Sequence, residues 1–176
     1  MTSLNLSDLF TNLENSSEFI KFKKKHPKSY FCAAFFVFDY DNNEEKKQLD
    51  YYISKEEGIM TFILDQKIIP KKAEMIKKEE LKEIKKDEIK IDLNKAIEIA
   101  KKEAEKQNFN LSKIIAILQR LKKSEKLIWN FTLLSGFNIL RLHINMEGKF
   151  LLKQKSSMLD MIQIEKGNKN KNSYIG

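Results

Sequence analysis

Leu140-Arg-Leu-His-Ile144, then Asn145-Met146-Glu147-Gly148, then Lys149-Phe150-Leu151-Leu152, is the stretch on which the fold turns. An alternating apolar run, a polar turn closing on glycine and a second apolar run read as a β-hairpin, because strand side chains alternate faces and glycine accepts left-handed turn geometry. The same grammar occurs earlier, in Leu49-Asp-Tyr-Tyr-Ile53, Ser54-Lys55-Glu56-Glu57-Gly58 and Ile59-Met60-Thr61-Phe62-Ile63-Leu64. Each hairpin follows another strand-like run and, before that, a helix-like stretch. The pattern predicts an α+β chain of two helix-plus-antiparallel-meander units, arranged as a tandem duplication. Gly58 and Gly148 would then be structural turn residues in equivalent hairpins.

Working outward from the second hairpin, Leu93, Ala96, Ile97, Ala100 and Ala104 repeat at helical spacing behind Asp92, a good N-cap, and Gln107-Asn108 should end that helix. Ser112–Leu121 fits a helical stripe as well as a strand; the strand is preferred because three clearer strands follow it. These are Lys126–Leu134, Ile139–Asn145 and Lys149–Lys155, joined by Ser135-Gly136-Phe137-Asn138 and Met146-Glu147-Gly148. The helical stripe, Leu93, Ala96, Ile97 and Ala100, should bury against the sheet that carries Trp129.

In the first unit, Leu6, Leu9, Phe10, Leu13, Phe19, Ile20 and Phe22 predict an amphipathic helix from Leu4 to Lys25. Asn5 or Ser7 would cap it, Asn15-Ser16-Ser17 would break or kink it, and His26-Pro27 would end it. Strands follow at Tyr30–Tyr40, Gln48–Ser54 and Ile59–Leu64, with Asp41-Asn42-Asn43 as the first turn. Lys71–Lys90, dense in Lys and Glu, reads as a charged connecting helix or a linker. The expected division is a first unit over 1–68, a connector over 69–90, a second unit over 91–160 and a polar tail over 161–176.

Residues 91–155 resemble a PepSY domain, a small helix-plus-antiparallel-sheet module similar in shape to cystatins. Leu93-Asn-Lys-Ala96-Ile97-Glu-Ile99-Ala100 looks like its opening helix. Leu127-Ile-Trp129-Asn-Phe131-Thr looks like its aromatic strand, and Leu142-His-Ile144-Asn145-Met-Glu147-Gly148-Lys-Phe150-Leu151 like its closing hairpin. A fainter second copy covers 4–65. The chain departs from the family signature where Asn145 and Ser54 stand for Asp, where Glu147 or Glu57 stands for Thr, and by one residue fewer between Ile144 and Gly148. The resemblance implies a non-catalytic inhibitory or regulatory module of a kind often found outside the cell or beside a membrane.

The chain has 176 residues, 41% of them apolar, enough for one domain or two small ones packed together. Its longest apolar runs, such as Phe31–Phe38, are too short to cross a bilayer, and the first 22 residues lack the unbroken apolar stretch of a signal peptide. The expected setting is the cytoplasm. The net charge of +8 comes almost wholly from lysine, with arginine at Arg120 and Arg141 alone. Nucleic-acid readers lean on arginine, so the lysines are read first as a solvated surface, and a nucleic-acid- or ribosome-associated role is the alternative. A single cysteine, Cys32, excludes an internal disulfide and reads as a buried small side chain.

No Gly-rich phosphate loop, Ser-His-Asp context or HExxH motif occurs. Asp39-Tyr-Asp41-Asn42-Asn43-Glu44-Glu45 clusters hard oxygen ligands but lacks the glycine and glutamate of a calcium loop, so it reads as a hairpin turn. His26 reads as helix-end chemistry, and His143 as a residue facing away from Leu142 and Ile144. Trp129 reads as a core anchor or, with Phe131, as an exposed recognition pair. The expectation is therefore a protein that is not an enzyme and uses no metal or cofactor. Its partner would be another protein, met through Trp129, Phe131 and His143; the oligomeric state is open.

Overall fold

Ser16 decides how the chain begins. In the computed structural model, which describes residues 5–56, 58–74 and 80–159, the predicted first helix is two: α1 (Leu6–Glu14) and α2 (Ser17–Lys25). Asn5 caps α1, its Oδ1 accepting from the Ser7 N–H at 2.9 Å; Ser16 is extended, and its Oγ accepts from the Phe19 N–H at 3.2 Å to start α2. A capping serine satisfies an otherwise orphaned amide, so the break is built in. The kink lets one apolar stripe follow a curved surface: Leu6, Phe10 and Leu13 from α1 and Phe19 and Phe22 from α2 are all buried.

The strands are β1 (Tyr30–Asp39), β2 (Glu44–Ile53), β3 (Gly58–Leu64) and β4 (Ile68–Glu74), then, after α3 (Leu93–Lys106), β5 (Lys113–Arg120), β6 (Leu127–Ser135), β7 (Asn138–Asn145) and β8 (Phe150–Ser157). They form a single antiparallel sheet in the order β4-β3-β2-β1-β5-β6-β7-β8. Two four-stranded meanders thus run outward in opposite directions from the central β1–β5 pair. The fold is α+β.

The helices α1, α2 and α3 pack on one face. Phe19 and Phe22 stand edge-on to Tyr51 of β2 and Phe62 of β3, with ring centroids 5.0 to 6.1 Å apart. In α3, Leu93, Ala96, Ala100 and Ala104 are fully buried and Ile97 is partly so, as the stripe predicts. The alanines bring the helix close to Trp129 and Phe131, both without solvent exposure, and the indole N–H donates to the Ile91 carbonyl at 2.9 Å. Across the junction, Ala34 faces Leu118, Phe36 faces Ala116 and Phe38 faces Ile114, so one core spans both meanders. Each large side chain so buried contributes about 1.5–3 kcal/mol.

Three expectations need correction. Ile68-Ile69-Pro70 does not lead into a connecting helix; it opens β4, a fourth strand that pairs with β3 from Ile68 to Glu74. Proline is tolerated there because β4 is an edge and its missing N–H would point away from the sheet. The rest of the connector crosses residues 80–92 with one short 3-10 turn, Lys86–Glu88, and Ile84 is buried, its N–H donating to the Phe31 carbonyl at 2.8 Å; residues 75–79 lie outside the described residues. Asp92 stands at the N-cap of α3 but gives that helix no side-chain hydrogen bond; its Oδ1 instead accepts from the Leu6 N–H of α1 at 3.1 Å. Gly58 and Gly148 are not equivalent: Gly58 opens the third strand of its meander, after the turn from the second, and Gly148 lies in the turn between the third and fourth of the other. Gly148 has φ +77°, whereas Gly58 begins β3 without a positive φ. The Ser112–Leu121 stretch is a strand, β5, as preferred from the sequence.

Candidate partner-binding face

The pleat that buries Phe36 and Ala116 turns their neighbours to the other side of the sheet. On that side the central strands present Phe35 and Val37 of β1, which face Ile117 and Ile115 of β5. All four are half-buried. The next ladder continues outward: Asn130 and Thr132 of β6 face Ile117 and Ile115, then pair with His143 and Arg141 of β7, which pair with Leu152 and Gln154 of β8. On the other flank the same face carries Gln48, Asp50 and Tyr52 of β2 and Thr61 of β3. The helices α1, α2 and α3 do not pack on this side, which is helix-free in that sense, since their buried residues belong to the core of the opposite face.

The two halves of this face treat their polar groups differently. Asp50 accepts from Gln48 at 3.0 Å and from Thr61 at 2.8 Å, and burial holds its carboxyl above the ordinary range despite those bonds. Asp39, near the end of β1, pairs with Lys113 at 2.7 Å and accepts from both the N–H and the side-chain amide of Asn42; these donors pull it down to about 2. The predicted turn at Asp41-Asn42-Asn43 is therefore fastened by Asp39, and Asn43 takes φ +52°. Among the described residues, no cluster of three or more His, Cys, Asp or Glu side chains is placed to hold a metal ion.

The side chains singled out in the sequence separate. Trp129 and Phe131 lie in the core beneath α3 and reach no surface, because odd-numbered positions of β6 face the helices. His143 is on the opposite, helix-free face, half-buried, and desolvation lowers its affinity for a proton. His26 caps α2 and lies 3.6 Å from Glu56. Cys32 sits at the bulge of β1, buried, with its thiol donating to the Asp50 carbonyl at 3.3 Å; burial pushes its pKa up, which disfavours the nucleophilic thiolate. Sequence reasoning passed over Phe35, Val37, Ile115, Ile117 and Arg141. The signal was available in the unbroken apolar runs of β1 and β5, which mark strands apolar on both faces.

A groove lined by Cys32, Ala33, Glu80 to Lys82 and Gln119 to Lys122 borders this face at one end. Its arginine is spent on structure: Arg120 makes a two-pronged contact to Glu88 at 2.7 Å and donates to the carbonyls of Glu83 and Glu125.

No family model matches the chain, and no curated protein does. Among solved structures, the crystal structure of a "putative lipoprotein" from Clostridium difficile 630 superposes with a TM-score of 0.53 over 79% of this chain and 90% of that one, at 13% identity. That likeness is one of fold. No described helix is long and apolar enough to cross a membrane.

Proposed function

We propose that the chain is a non-catalytic protein-binding or regulatory module of PepSY-like, cystatin-like type, built by tandem duplication and working in the cytoplasm, whose partner docks on the helix-free face of the sheet. The observation that carries this reading is the apolar quartet Phe35, Val37, Ile115 and Ile117 at the centre of that face, with α1, α2 and α3 on the other side. An apolar centre ringed by hydrogen-bonding side chains is the composition of a protein interface. Duplication is supported by the strand order, in which two meanders diverge from an antiparallel central pair as a two-fold axis would arrange them. The lysines favour nucleic acid less, because several are already matched to carboxylates: Lys95 and Lys102 to Glu98, Lys86 to Glu14, Lys72 to Glu56 and Lys153 to Glu103.

A photo-crosslinking side chain placed at Ile117, on the helix-free face, and separately at Lys102, on the solvent side of α3, tests the assignment in the native cell. The expected result is a discrete protein adduct from position 117 that survives nuclease and is absent from position 102. Equal labelling from both positions, no adduct, or an adduct that nuclease removes would overturn it.

A further inference from the structure

Arginine is scarce in this chain, and its two copies are used in opposite ways. The guanidinium of Arg120 spends its donors on Glu88 and on two main-chain carbonyls. Arg141, half-buried at the middle of β7 on the helix-free face, makes no side-chain hydrogen bond or ion pair among the described residues. The residues around it share that condition. Thr132 and Gln154 flank it directly across the ladder, and Asn130 and His143 lie one step along; none has a side-chain partner among the described residues. Beside Gln154, the Ser156 hydroxyl is shielded from solvent and has no hydrogen-bond partner among the described residues. The same sheet face satisfies its polar groups elsewhere, at Asp50 with Gln48 and Thr61 and at Asp39 with Asn42 and Lys113. Among the described residues, the side-chain donors without a partner therefore gather on the β6–β8 third.

We infer that Arg141 anchors a carboxylate-binding subsite that receives an Asp or Glu side chain of a partner polypeptide lying across β6, β7 and β8. The inference rests on the reading of the helix-free face as the docking surface, and it names what that surface recognises. A guanidinium offers two parallel N–H donors that fit a carboxylate, which the lysine used nearly everywhere else in this chain does not. Thr132, Asn130 and Gln154 supply neutral donors to the remaining oxygen lone pairs. His143, disfavoured from protonation by burial, leaves Arg141 as the one formal charge these three strands set on this face. A phosphodiester backbone would call for cations repeated along a path. Ile115, Ile117 and Leu152, next in the ladders, would take apolar neighbours of the acidic residue.

The experiment follows the Arg141 Nε–Hε resonance and the backbone amides of Asn130, Thr132 and Gln154 in the full chain by NMR. The probes are acetyl-Ile-Glu-Ile-amide, its Gln analogue, inorganic phosphate and a short thymidine oligonucleotide. The expected result is a saturable shift with the Glu peptide, binding weaker by about ten-fold or more for the Gln peptide and for Arg141→Gln protein, and little response to phosphate or oligonucleotide. Arg141→Lys should recover part of the affinity, and both variants should melt with the parent protein. Equal binding of the Glu and Gln peptides, indifference to Arg141→Gln, a stronger response to the oligonucleotide, or no shift up to the solubility limit would each overturn the subsite. The crosslink from Ile117 reports separately: if it persists in Arg141→Gln protein, the docking face stands while the carboxylate subsite falls.

Discussion

At the scale of single residues, Asp39 and Gly148 each tie a local conformation to a measurable consequence. Asp39 is buried, and Lys113 and Asn42 lower its pKa from an ordinary 3.8 to about 2. A carboxyl whose folded pKa is depressed stabilises the fold above its unfolded pKa, and that contribution is lost as pH falls through the folded value. The protein should therefore lose stability between about pH 4 and pH 2, and Lys113→Met should flatten that part of the curve while lowering the melting temperature at neutral pH. Thermal melts across that range check this; an unchanged acid limb in Lys113→Met would refute it. Gly148 is a sharper case. At φ +77° an added Cβ is strained by the backbone itself and would also meet Ile91 and Ile99 at 3.4 and 3.5 Å. Gly58 has no positive φ, and a Cβ there would meet its neighbours at ordinary contact distances of 3.7 Å and more. Gly148→Ala should cost about 1–2 kcal/mol in denaturant unfolding, and Gly58→Ala close to nothing. Equal losses at the two sites would mean that the hairpin containing Gly58 depends on its glycine after all.

At the scale of elements, what could be read in advance followed from periodicity, and what could not depended on contacts distant in sequence. The α3 stripe was legible because Leu93, Ala96, Ala100 and Ala104 repeat at helical spacing and meet the sheet as a continuous line. The hairpin at Asn145 to Gly148 was legible because polar turn residues interrupt two alternating runs. β4 was hidden: Pro70, Lys71 and Lys72 argue against a strand, and only the presence of β3 at one side with an open edge at the other makes them acceptable. Asp92 was misread for a similar reason. An aspartate before a helical stripe is a good cap, but α1 lies close enough to take its carboxylate. The same limit applies to the candidate site. Trp129 and Phe131 carry the most recognisable side chains, yet their parity along β6 puts them under α3. Arg141 stands on the other face, and that it has no side-chain partner among the described residues becomes visible only once β6, β7 and β8 lie side by side.

At the scale of the whole molecule, the central β1–β5 pair decides whether the two meanders can exist apart. β1 and β5 are paired antiparallel from Ala34 with Leu118 to Asp39 with Lys113, and Phe36 and Trp129 meet across the junction with ring centroids 6.2 Å apart. A fragment of residues 80–159 would keep α3 and its own four strands, but β5 would become a bare edge carrying Ile114, Ile115, Ala116, Ile117 and Leu118 without proline or internal charge. Such an edge is a template for another strand. Since β5 is already satisfied by an antiparallel neighbour from a similar meander, a second copy of the fragment can take the place of β1 through β5–β5 pairing. The fragment should therefore be dimeric or larger in sedimentation equilibrium. Replacing Ile115 and Ile117 by lysine should shift it toward monomer, because like charges would then face one another across the new pair. The full chain, with both central strands occupied, should unfold in a single transition whether monitored by Trp129 fluorescence or by far-UV circular dichroism. A fragment that stays monomeric and folded without those lysines would show that each meander is sufficient alone, and the shared core across β1 and β5 would then be a docking contact between two domains.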